Sequence, residues 1–405
     1  MAFPGRPVVV AALLTVAAAV PPARGEERNP PVAGGATSEL LVFLRPGTDP
    51  AAFAREHGLA LVRTLRSDPD ANVYAAASPE AAKGARARAR AHARVRSAWL
   101  NEPRHYRHMA FTPDDPYFHR YTPESPYPGQ WHLVNEHVPG RDARVQGAWD
   151  RDVTGLGVTI GIVDDCLETT HPDLAPNYVA ADSWDFGGND AVPDPVNKSD
   201  EHGIAVAGVA AARGGNGLGV TGAAPRAGLA GLRIDFPKQT VAMFVDATLY
   251  HSSGASTAIA VKNHSYGYST AYVETAAERE ALAVSAAAGT VHCFAAGNER
   301  GTAAQDSNKQ HLQSSPDAIA VAALGSDGLF AYYSSFGANV VVTTPSSSSA
   351  GLFRITTTDR AGDRFGYNSS SSDPFPDSDY TSEFGGTSSA APLVSGVIAL
   401  QTAES

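Results

Sequence analysis

Four side chains of the types that carry out acyl-transfer chemistry lie where the sequence passes from one predicted element to the next. Asp164 follows the apolar run GVTIGIV, His202 precedes a helix of small residues, Asn298 follows the run TVHCFAA, and Ser388 stands in GTSSAAP at the start of a helix. Each has a plainer explanation alone, as a turn cap, a structural histidine or a helix cap. Together they predict a serine nucleophile activated by a histidine.

The elements that must position these residues are apolar, β-branched runs alternating with helical segments. GVTIGIV, GLAGLRI, AIAVKNHS, TVHCFAA and AIAVAAL predict buried strands, and GIAVAGVAAA, TVAMFVDATLYHS and VETAAEREALAVSAAA predict helices. This alternation is typical of an α/β fold with a doubly wound, mostly parallel sheet. Chemistry in such folds lies at the carboxyl ends of the strands. PSSSSAG and YNSSSSDPFPDSDY are predicted to form long surface loops.

The stretch around Ser388 predicts a helix that begins at Thr387 or Ser388. Pro392 lies four residues after Ser388, and proline is tolerated in the first turn of a helix. The Ser388 hydroxyl would then lie at the positive end of the helix dipole, where negative charge is stabilised.

The N-terminal quarter of the chain differs from the rest. Residues 1–25 have the charged, apolar and small-residue order of a signal peptide, with an apolar run too short to span a membrane. A spacer is predicted over 26–38, and a β-α-β-β-α-β order over 39–103 indicates a small ferredoxin-like α+β unit. A connector, 104–111, leads to a larger domain over 112–405. The mature protein is therefore expected to be exported, to the extracellular space or to the periplasm, with no membrane span.

Charge and cysteine content narrow the possible partners. Residues 1–111 carry 15 Lys and Arg against 9 Asp and Glu, whereas residues 112–405 carry 16 against 33. A basic unit on an acidic body predicts mutual attraction, with an Arg-rich solvated helix as the alternative. The acidic part of the chain has no basic, aromatic-rich stripe, so nucleic acid is not expected as a partner. The two cysteines, Cys166 and Cys293, are expected to be buried free thiols, with a single disulfide as the alternative.

The order Asp164, His202, Ser388 and the stretches VDDCLETTHPDL and GTSSAAP carry a family resemblance. Over about residues 112–400 the chain resembles the subtilisin-like serine proteases (subtilases, peptidase S8). The doubled aspartate is most similar to the kexin-like proprotein convertase branch. This resemblance implies a secreted serine endopeptidase that hydrolyses peptide bonds through an acyl-enzyme.

The resemblance also implies the roles of individual residues. Ser388 would be the nucleophile, His202 the general base and then acid, and Asp164 the group that orients the imidazole. The Asn298 side chain and the Ser388 N–H would hold the oxyanion. An extended protein or peptide substrate would bind along Ser265, Tyr266, Gly267 and Gly297.

The unit over 39–103 is similar to the pro-domains of this family. It would make the protein a zymogen, with its own pro-domain as intramolecular inhibitor, and the enzyme itself is expected to be a monomer. The connector contains Arg104-His105-Tyr106-Arg107. We expect self-cleavage after Arg107 or at a nearby bond.

The glycine-rich stretch RGGNGLGVTG does not fit a dinucleotide loop, because it follows a helix and leads to a strand. In the family this loop helps to bind structural calcium, whose preferred ligands are carboxylate, amide and carbonyl oxygens. Aspartates and asparagines that only cap turns are the alternative. The matching ligands here are Asp115, Asp173 and Asn216, with carbonyls near Arg213, Leu218 and Val220.

Some positions depart from the family pattern. Cys166 stands where the family has a glycine, and a cysteine would be strained there if the backbone needs a positive φ. Ile204 stands where the family has a threonine. Thr270 and Ser335 stand where kexins carry acidic residues, which puts a preference for arginine in doubt. Only 17 residues follow Ser388, which predicts a fragment or a short variant. The alternative functions are a catalytically inactive subtilase fold that binds peptides or partners and, less well supported, a lipase or esterase, which lacks its Gly-x-Ser-x-Gly motif.

Overall fold

The computed structural model describes residues 37–102, 111–118, 129–135, 138–252, 258–349, 352–362, 365–369, 373 and 375–404. The chain forms two compact units, Met1–Arg107 and His108–Ser405, so the unit boundary falls four residues beyond the predicted end of the ferredoxin-like unit. The predicted signal peptide, most of the spacer and the Arg104–Arg107 motif lie outside the described residues.

The N-terminal unit has the predicted β-α-β-β-α-β order. Its sheet has the order β2-β3-β1-β4 with antiparallel pairs, as in a ferredoxin-like fold. Asp49 and Ser78 cap the two helices, each of which begins with a proline. The elements are β1 (Glu39–Leu44), α1 (Pro50–His57), β2 (Ala60–Thr64), β3 (Ala71–Ala75), α2 (Pro79–Arg90) and β4 (Val95–Leu100).

The C-terminal unit is built on a seven-stranded sheet with the order β11-β10-β9-β8-β5-β7-β6. Each neighbouring pair is parallel, as the near-continuous apolar runs predicted. The strands are β5 (Thr159–Asp164), β6 (Trp184–Asp185), β7 (Gly228–Arg233), β8 (Ile259–His264), β9 (Val291–Ala295), β10 (Ile319–Leu324) and β11 (Val340–Pro345). The five predicted strands are confirmed, and β6 and β11 were not predicted.

Helices cover this sheet. Two of them, α4 (His202–Ala211) and α7 (Thr387–Glu404), are buried over most of their length and pack against each other. Helix α7 also contacts β8, β9, β10 and β11. Their small residues permit this close packing. The helices are α3 (Gln146–Trp149), α4 (His202–Ala211), α5 (Val241–Leu249), α6 (Ala276–Ala287) and α7 (Thr387–Glu404), with 3₁₀ turns at Ala175–Asn177, Ala180–Asp182, Phe236–Lys238 and Ser307–Lys309. In the part of the chain that is described, no helix is both long and apolar enough to cross a membrane.

The two serine-rich segments were predicted to be long surface loops, and some of their described residues are buried instead. Ser346 and Ser347 are buried directly after β11, and Asp373 is buried in the second segment. Asp373 accepts hydrogen bonds from the Thr381 and Ser382 side chains, so this segment is held against a hairpin. Composition indicated a loop, but it did not reveal these polar contacts inside the fold. The hairpin consists of β12 (Ile355–Thr358) and β13 (Tyr380–Phe384).

Candidate active site

The residues predicted to do chemistry lie along one edge of the parallel sheet. β8, β5 and β9 are close neighbours in the sheet, and their carboxyl ends share one edge because their pairs are parallel. Asp164 is the last residue of β5, and Asn298 follows β9 by three residues. His202 is the first residue of α4, and Ser388 is the second residue of α7.

Asp164 and His202 form a direct pair. The His202 Nδ1 lies 2.9 Å from Asp164 Oδ1, and the carboxylate side chain is almost fully buried whereas the imidazole is 27% exposed. Because Nδ1 carries the proton that it donates, the neutral ring keeps its lone pair on Nε2. Asp164 Oδ2 is buried and has no partner among the described residues. Asp164 Oδ1 also accepts the Asp165 N–H at 2.8 Å, so one carboxylate oxygen holds both the imidazole and the backbone.

The surroundings of His202 favour its charged form. Burial disfavours an imidazolium, but the charge and hydrogen bond of Asp164 and the charges of Asp165 and Glu201 outweigh burial and raise the pKa of His202 to about 9. The neutral imidazole is therefore a strong base. It can accept a proton only after the imidazolium has lost the proton on Nε2.

Asp165 holds the start of α4 in place, a role that the sequence analysis did not assign. Its Oδ2 accepts hydrogen bonds from the backbone N–H groups of Glu201 and His202, and its Oδ1 accepts one from Gly203 at 2.7 Å. Glu201 precedes the helix and makes no side-chain cap. Asp165 thus caps α4 from the end of β5 and ties the histidine to the strand that carries Asp164. The doubled aspartate was the available signal.

The departures at Cys166 and Ile204 are accommodated by the fold. Cys166 is not among the described residues with positive φ, so the expected strain is absent. Its buried thiol donates to Asp165 Oδ1, and burial raises its pKa well above the ordinary value. A Cβ at Gly203 would lie 2.0 Å from the Cys166 carbonyl oxygen, so the close approach depends on this glycine. Ile204 is fully buried, and both cysteines are free, as predicted.

The helix that carries Ser388 begins at Thr387, as predicted, but Pro392 is not in its first turn; it lies inside the helix. Proline has no N–H, so the Ser388 carbonyl receives no hydrogen bond from within the helix. The Ser265 hydroxyl donates to this carbonyl at 3.0 Å, and the Ser388 hydroxyl donates to the Ser265 carbonyl at 3.2 Å. The two serines are thus joined by reciprocal bonds, and the Ser388 hydroxyl faces Ser265 rather than His202.

Asn298 has the orientation that an oxyanion donor needs. Its Oδ1 accepts hydrogen bonds from the Thr387 N–H at 2.8 Å and from the Thr387 hydroxyl at 3.0 Å. These two donors fix which end of the amide is oxygen, and Nδ2 makes no hydrogen bond within the described residues. The Ser388 N–H, in the first turn of α7, is likewise free there. Two donors are therefore available beside the Ser388 hydroxyl.

The catalytic candidates line one continuous cleft made of three adjoining cavities. A cavity of about 420 Å³ is lined by His202, Asn298 and Ser388. A second, of about 90 Å³, shares Asn298 and Ser388 with it and also contacts Ser265, Tyr266, Gly267 and Gly297. A third, of about 240 Å³, is lined by Asp164, His202, Ser265 and Tyr266. The predicted catalytic and substrate-binding residues are thus brought together.

Tyr266 is held in the cleft wall by a row of buried, hydrogen-bonded side chains that begins with His264 of β8 and His292 of β9. Its hydroxyl lies 2.7 Å from His264 Nδ1, and His264 Nε2 lies 3.0 Å from His292 Nδ1. Burial lowers the pKa of both histidines, that of His292 to about 3, so each ring is neutral and carries one proton. The chain ends in the Ser285 hydroxyl, which donates to Ser252. Each proton has one acceptor, so the Tyr266 hydroxyl donates inward and its ring forms part of the cleft wall.

The backbone beside Tyr266 is open for pairing. Gly267 is exposed, and neither its N–H nor its carbonyl makes a hydrogen bond in the described part of the chain. Gly297, at φ 108°, accepts the Ser335 N–H through its carbonyl and lies in the same cavity. One backbone edge next to the nucleophile is therefore unpaired.

The predicted calcium ligands also come together, away from this cleft. Asp115 and Asp173 are fully buried. Asp115 accepts the N–H groups of Gly215 and Asn216, and Asp173 accepts Asn216 Nδ2 at 2.8 Å and the Val220 N–H at 2.9 Å. The loop thus wraps around two carboxylates.

The donor set of this loop fits a hard cation. Burial raises the pKa of Asp115 to about 6 and also raises that of Asp173, so a cation bound between the two carboxylates would offset the cost of burying their charges. The carbonyl oxygens of Arg213, Leu218 and Val220 accept no hydrogen bond from described residues. Asn216 directs its nitrogen at Asp173, so its amide would have to reverse to offer oxygen.

Comparison with known proteins identifies the family. The model of the subtilase family matches residues 155–405. The dibasic-processing endoprotease of Schizosaccharomyces pombe is 33% identical over 285 residues, which is 67% of this chain and 36% of that protein. Proprotein convertase subtilisin/kexin type 7 of Mus musculus is 46% identical over 113 residues, which is 27% of this chain and 14% of that protein. The matched region thus spans well under two thirds of these curated relatives.

Solved structures agree with this assignment. The serine protease of Aeromonas sobria, in complex with its chaperone, superposes with a TM-score of 0.62 at 28% identity, over 68% of this chain and 53% of that one. A protease of Pseudoalteromonas arctica superposes with a TM-score of 0.57 at 28% identity, over 72% of this chain and 86% of that one. The fold, the order of the candidate catalytic residues and the family match agree: the chain belongs to the subtilase family, with kexin-like proprotein convertases among its relatives.

Proposed function

We propose that the protein is a secreted serine endopeptidase that hydrolyses peptide bonds through an acyl-enzyme. The observation that carries this proposal is the Asp164–His202 hydrogen bond beside a cleft that Ser388 and Asn298 also line. Membership of a protease family and the kexin-like relatives support the same activity.

Each side chain has a defined task in the proposed reaction. Neutral His202 takes the proton of the Ser388 hydroxyl through Nε2 as Ser388 Oγ attacks the substrate carbonyl, and it later gives that proton to the leaving amine. Asp164 keeps the imidazole in the required tautomer and stabilises its charged form. Asn298 Nδ2 and the Ser388 N–H donate to the oxyanion. Water then releases the acyl group by the same steps.

The open backbone of Gly267 supports binding of an extended peptide along Ser265–Gly267 by β-pairing. We further propose that the ferredoxin-like unit is a pro-domain that inhibits the enzyme until it is cleaved. The Aeromonas sobria protease, which was solved with a chaperone, offers a parallel in which a second polypeptide accompanies a subtilase. The leader-like N-terminal sequence supports export.

A fluorophosphonate label tests the proposed activity. It should attach covalently to the wild-type protein and not to Ser388→Ala, because only an activated serine reacts at a useful rate. Ser389→Ala is a matched control in the same helix turn, and it should still be labelled. Absence of labelling after removal of the N-terminal unit would favour the rival, an inactive fold that binds peptides. One observation favours the inactive fold: the Ser388 hydroxyl donates to the Ser265 carbonyl rather than to His202.

Activity should rise with pH, with its midpoint above the ordinary histidine value of about 6.5. The pKa of His202 is raised to about 9, and only the neutral ring can accept the Ser388 proton, so activity is lost as pH falls through that value. Glu201→Gln removes one of the charges that raise this pKa and should move the midpoint of kcat/KM to lower pH.

Glu280→Gln removes the same charge from the exposed face of α6 and should leave the midpoint unchanged. A wild-type midpoint at or below 6.5, or equal shifts in both variants, would contradict this explanation.

We also propose that calcium binds at Asp115, Asp173 and the loop carbonyls around Asn216 and stabilises the fold. Removing calcium with a chelator should lower the melting temperature by about 5 °C or more, because binding to the native state alone adds stability. Asp115→Asn should abolish this difference. Asp114→Asn, at the exposed neighbouring position, should retain it. A wild-type melting temperature that does not respond to calcium would exclude the site.

A further inference from the structure

The 90 Å³ cavity beside Ser388 has a neutral amide floor. It is bounded on one side by Ser265–Tyr268 and on the other by Ala295–Glu299. Gln310 and Gln313 line it and are only 4% and 2% exposed. A peptide paired with Ser265–Gly267, with its scissile carbonyl at Ser388, would direct the side chain of that carbonyl's residue, the P1 residue, into this cavity. The two glutamines therefore face the position of the P1 side chain.

Hydrogen bonds fix which end of each glutamine is free. Gln313 Nε2 lies 3.2 Å from the Ala295 carbonyl and 3.4 Å from the Tyr266 carbonyl, and Gln310 Nε2 lies 3.4 Å from the Thr270 carbonyl. Carbonyl oxygens only accept, so these amide ends are the nitrogens. Neither Oε1 has a partner in the described part of the chain, and neither is fully enclosed by protein. Both Oε1 atoms are thus unpaired acceptors on residues that line the cavity.

The cavity has fewer carboxylates than a site that binds the positive charge of arginine would need. Among its lining residues the one carboxylate is Glu299, which is half-buried next to Asn298. Ser335 also lines the cavity and is neutral, and Thr270 contributes its carbonyl to Gln310. A guanidinium or ammonium beside Gln310 and Gln313 would be buried against neutral amides, with Glu299 as the one carboxylate among the lining residues, and burying a charge in this way is costly. A neutral amide would meet two acceptors and leave no charge unpaired.

Building on the proposed protease function, we infer that Gln310 and Gln313 make the enzyme select an uncharged hydrogen-bond donor at P1, glutamine or asparagine, over arginine or lysine. Donor recognition comes from the two Oε1 atoms. Exclusion of basic residues comes from the neutrality of both amides, with Glu299 as the one carboxylate among the lining residues. Sites that hydrogen-bond a substrate group discriminate strongly against analogues that leave their buried polar atoms unpaired.

The test uses the full chain after maturation, with active sites counted by fluorophosphonate labelling. Peptide substrates that differ only at P1 then compare glutamine, asparagine, leucine, lysine and arginine. We expect kcat/KM for glutamine to exceed that for arginine by about tenfold or more, and that for leucine by a smaller factor. A labelled enzyme that prefers arginine or lysine would overturn the inference while leaving the protease function intact. Absence of labelling would instead overturn the proposed function on which the inference rests.

Charge variants assign the effect to the floor. Gln310→Glu places a carboxylate there and should raise the arginine-to-glutamine ratio by about tenfold or more. Gln401→Glu adds the same charge to an exposed position near the far end of α7 and should leave the ratio unchanged. Gln313 holds two wall carbonyls and its replacement risks misfolding, so Gln310→Ala is the second variant, and it should reduce the preference for glutamine. If Glu299→Gln shifts the ratio as strongly as Gln310→Glu, the floor does not set specificity.

Discussion

His202→Ala should lower kcat by about 10⁶-fold, the scale seen when the histidine of a Ser-His-Asp site is removed. The loss is large because, among the described residues, the Ser388 hydroxyl donates to the Ser265 carbonyl alone, and a carbonyl cannot act as a base at neutral pH. Hydrolysis of a peptide substrate, measured with protein whose folding has been checked by melting temperature, provides the comparison.

His251→Ala is the matched control. His251 Nδ1 lies 3.2 Å from Asp182 Oδ1, and His251 does not line the cavity that Ser388 shares with His202. We expect its kcat to stay close to that of the wild type. A His202→Ala protein that is folded and retains more than a few per cent of wild-type kcat would show that the reaction does not use this base.

Asp165→Ala should lower both stability and activity. It leaves the N–H groups of Glu201, His202 and Gly203 without their acceptor in a buried setting, which should reduce the free energy of unfolding by about 2–4 kcal/mol. Because these bonds also fix the first residue of α4, kcat should fall by about tenfold or more, since small misplacements of a catalytic group are costly. Denaturant unfolding and peptide hydrolysis measure the two effects.

Asp165→Asn separates charge from hydrogen bonding. Burial and the neighbouring Asp164 charge raise the pKa of Asp165 to about 6, so its ionised form is itself disfavoured. Asparagine keeps one acceptor oxygen without that charge, and it should lose less stability than alanine. Asp150→Ala, at an exposed position, should change stability by no more than about 0.5 kcal/mol. Equal losses in Asp165→Asn and Asp165→Ala would show that the remaining acceptor contributes nothing.

The sequence was sufficient for the layout of the site because its strands are buried on both faces. Runs such as GVTIGIV and TVHCFAA carry few polar residues until they end, so Asp164 and Asn298 stood out at the sheet edge. The N-terminal helices were equally clear, since Asp49-Pro50 and Ser78-Pro79 pair a cap with a first-turn proline. Short strands such as β6, with two residues, carry no such pattern.

Contacts between distant segments were beyond the reach of the sequence. Asp165 caps a helix 37 residues later, and nothing local distinguishes it from a turn residue. Gln310 and Gln313 lie in a segment with no strand or helix signal, yet they line a cavity together with the segments that follow β8 and β9. Pro392 was predicted at a helix start from its local chemistry, whereas its effect depends on Ser265, 123 residues away from Ser388.

The reciprocal hydrogen bonds between Ser265 and Ser388 hold the Ser388 hydroxyl away from His202 while no substrate is bound. The carbonyl that holds the Ser388 hydroxyl belongs to the backbone edge on which an extended peptide would pair, so a substrate N–H and the hydroxyl compete for one acceptor. Under the proposed function, a peptide that pairs with this edge would displace the hydroxyl as its scissile carbonyl comes near, and the hydroxyl would then be free to turn toward His202. Water that enters the empty cleft meets a serine whose proton is already engaged. Pro392 contributes to this arrangement by leaving the Ser388 carbonyl open to the Ser265 hydroxyl, so that strand and helix remain linked through the second bond while the first is exchanged.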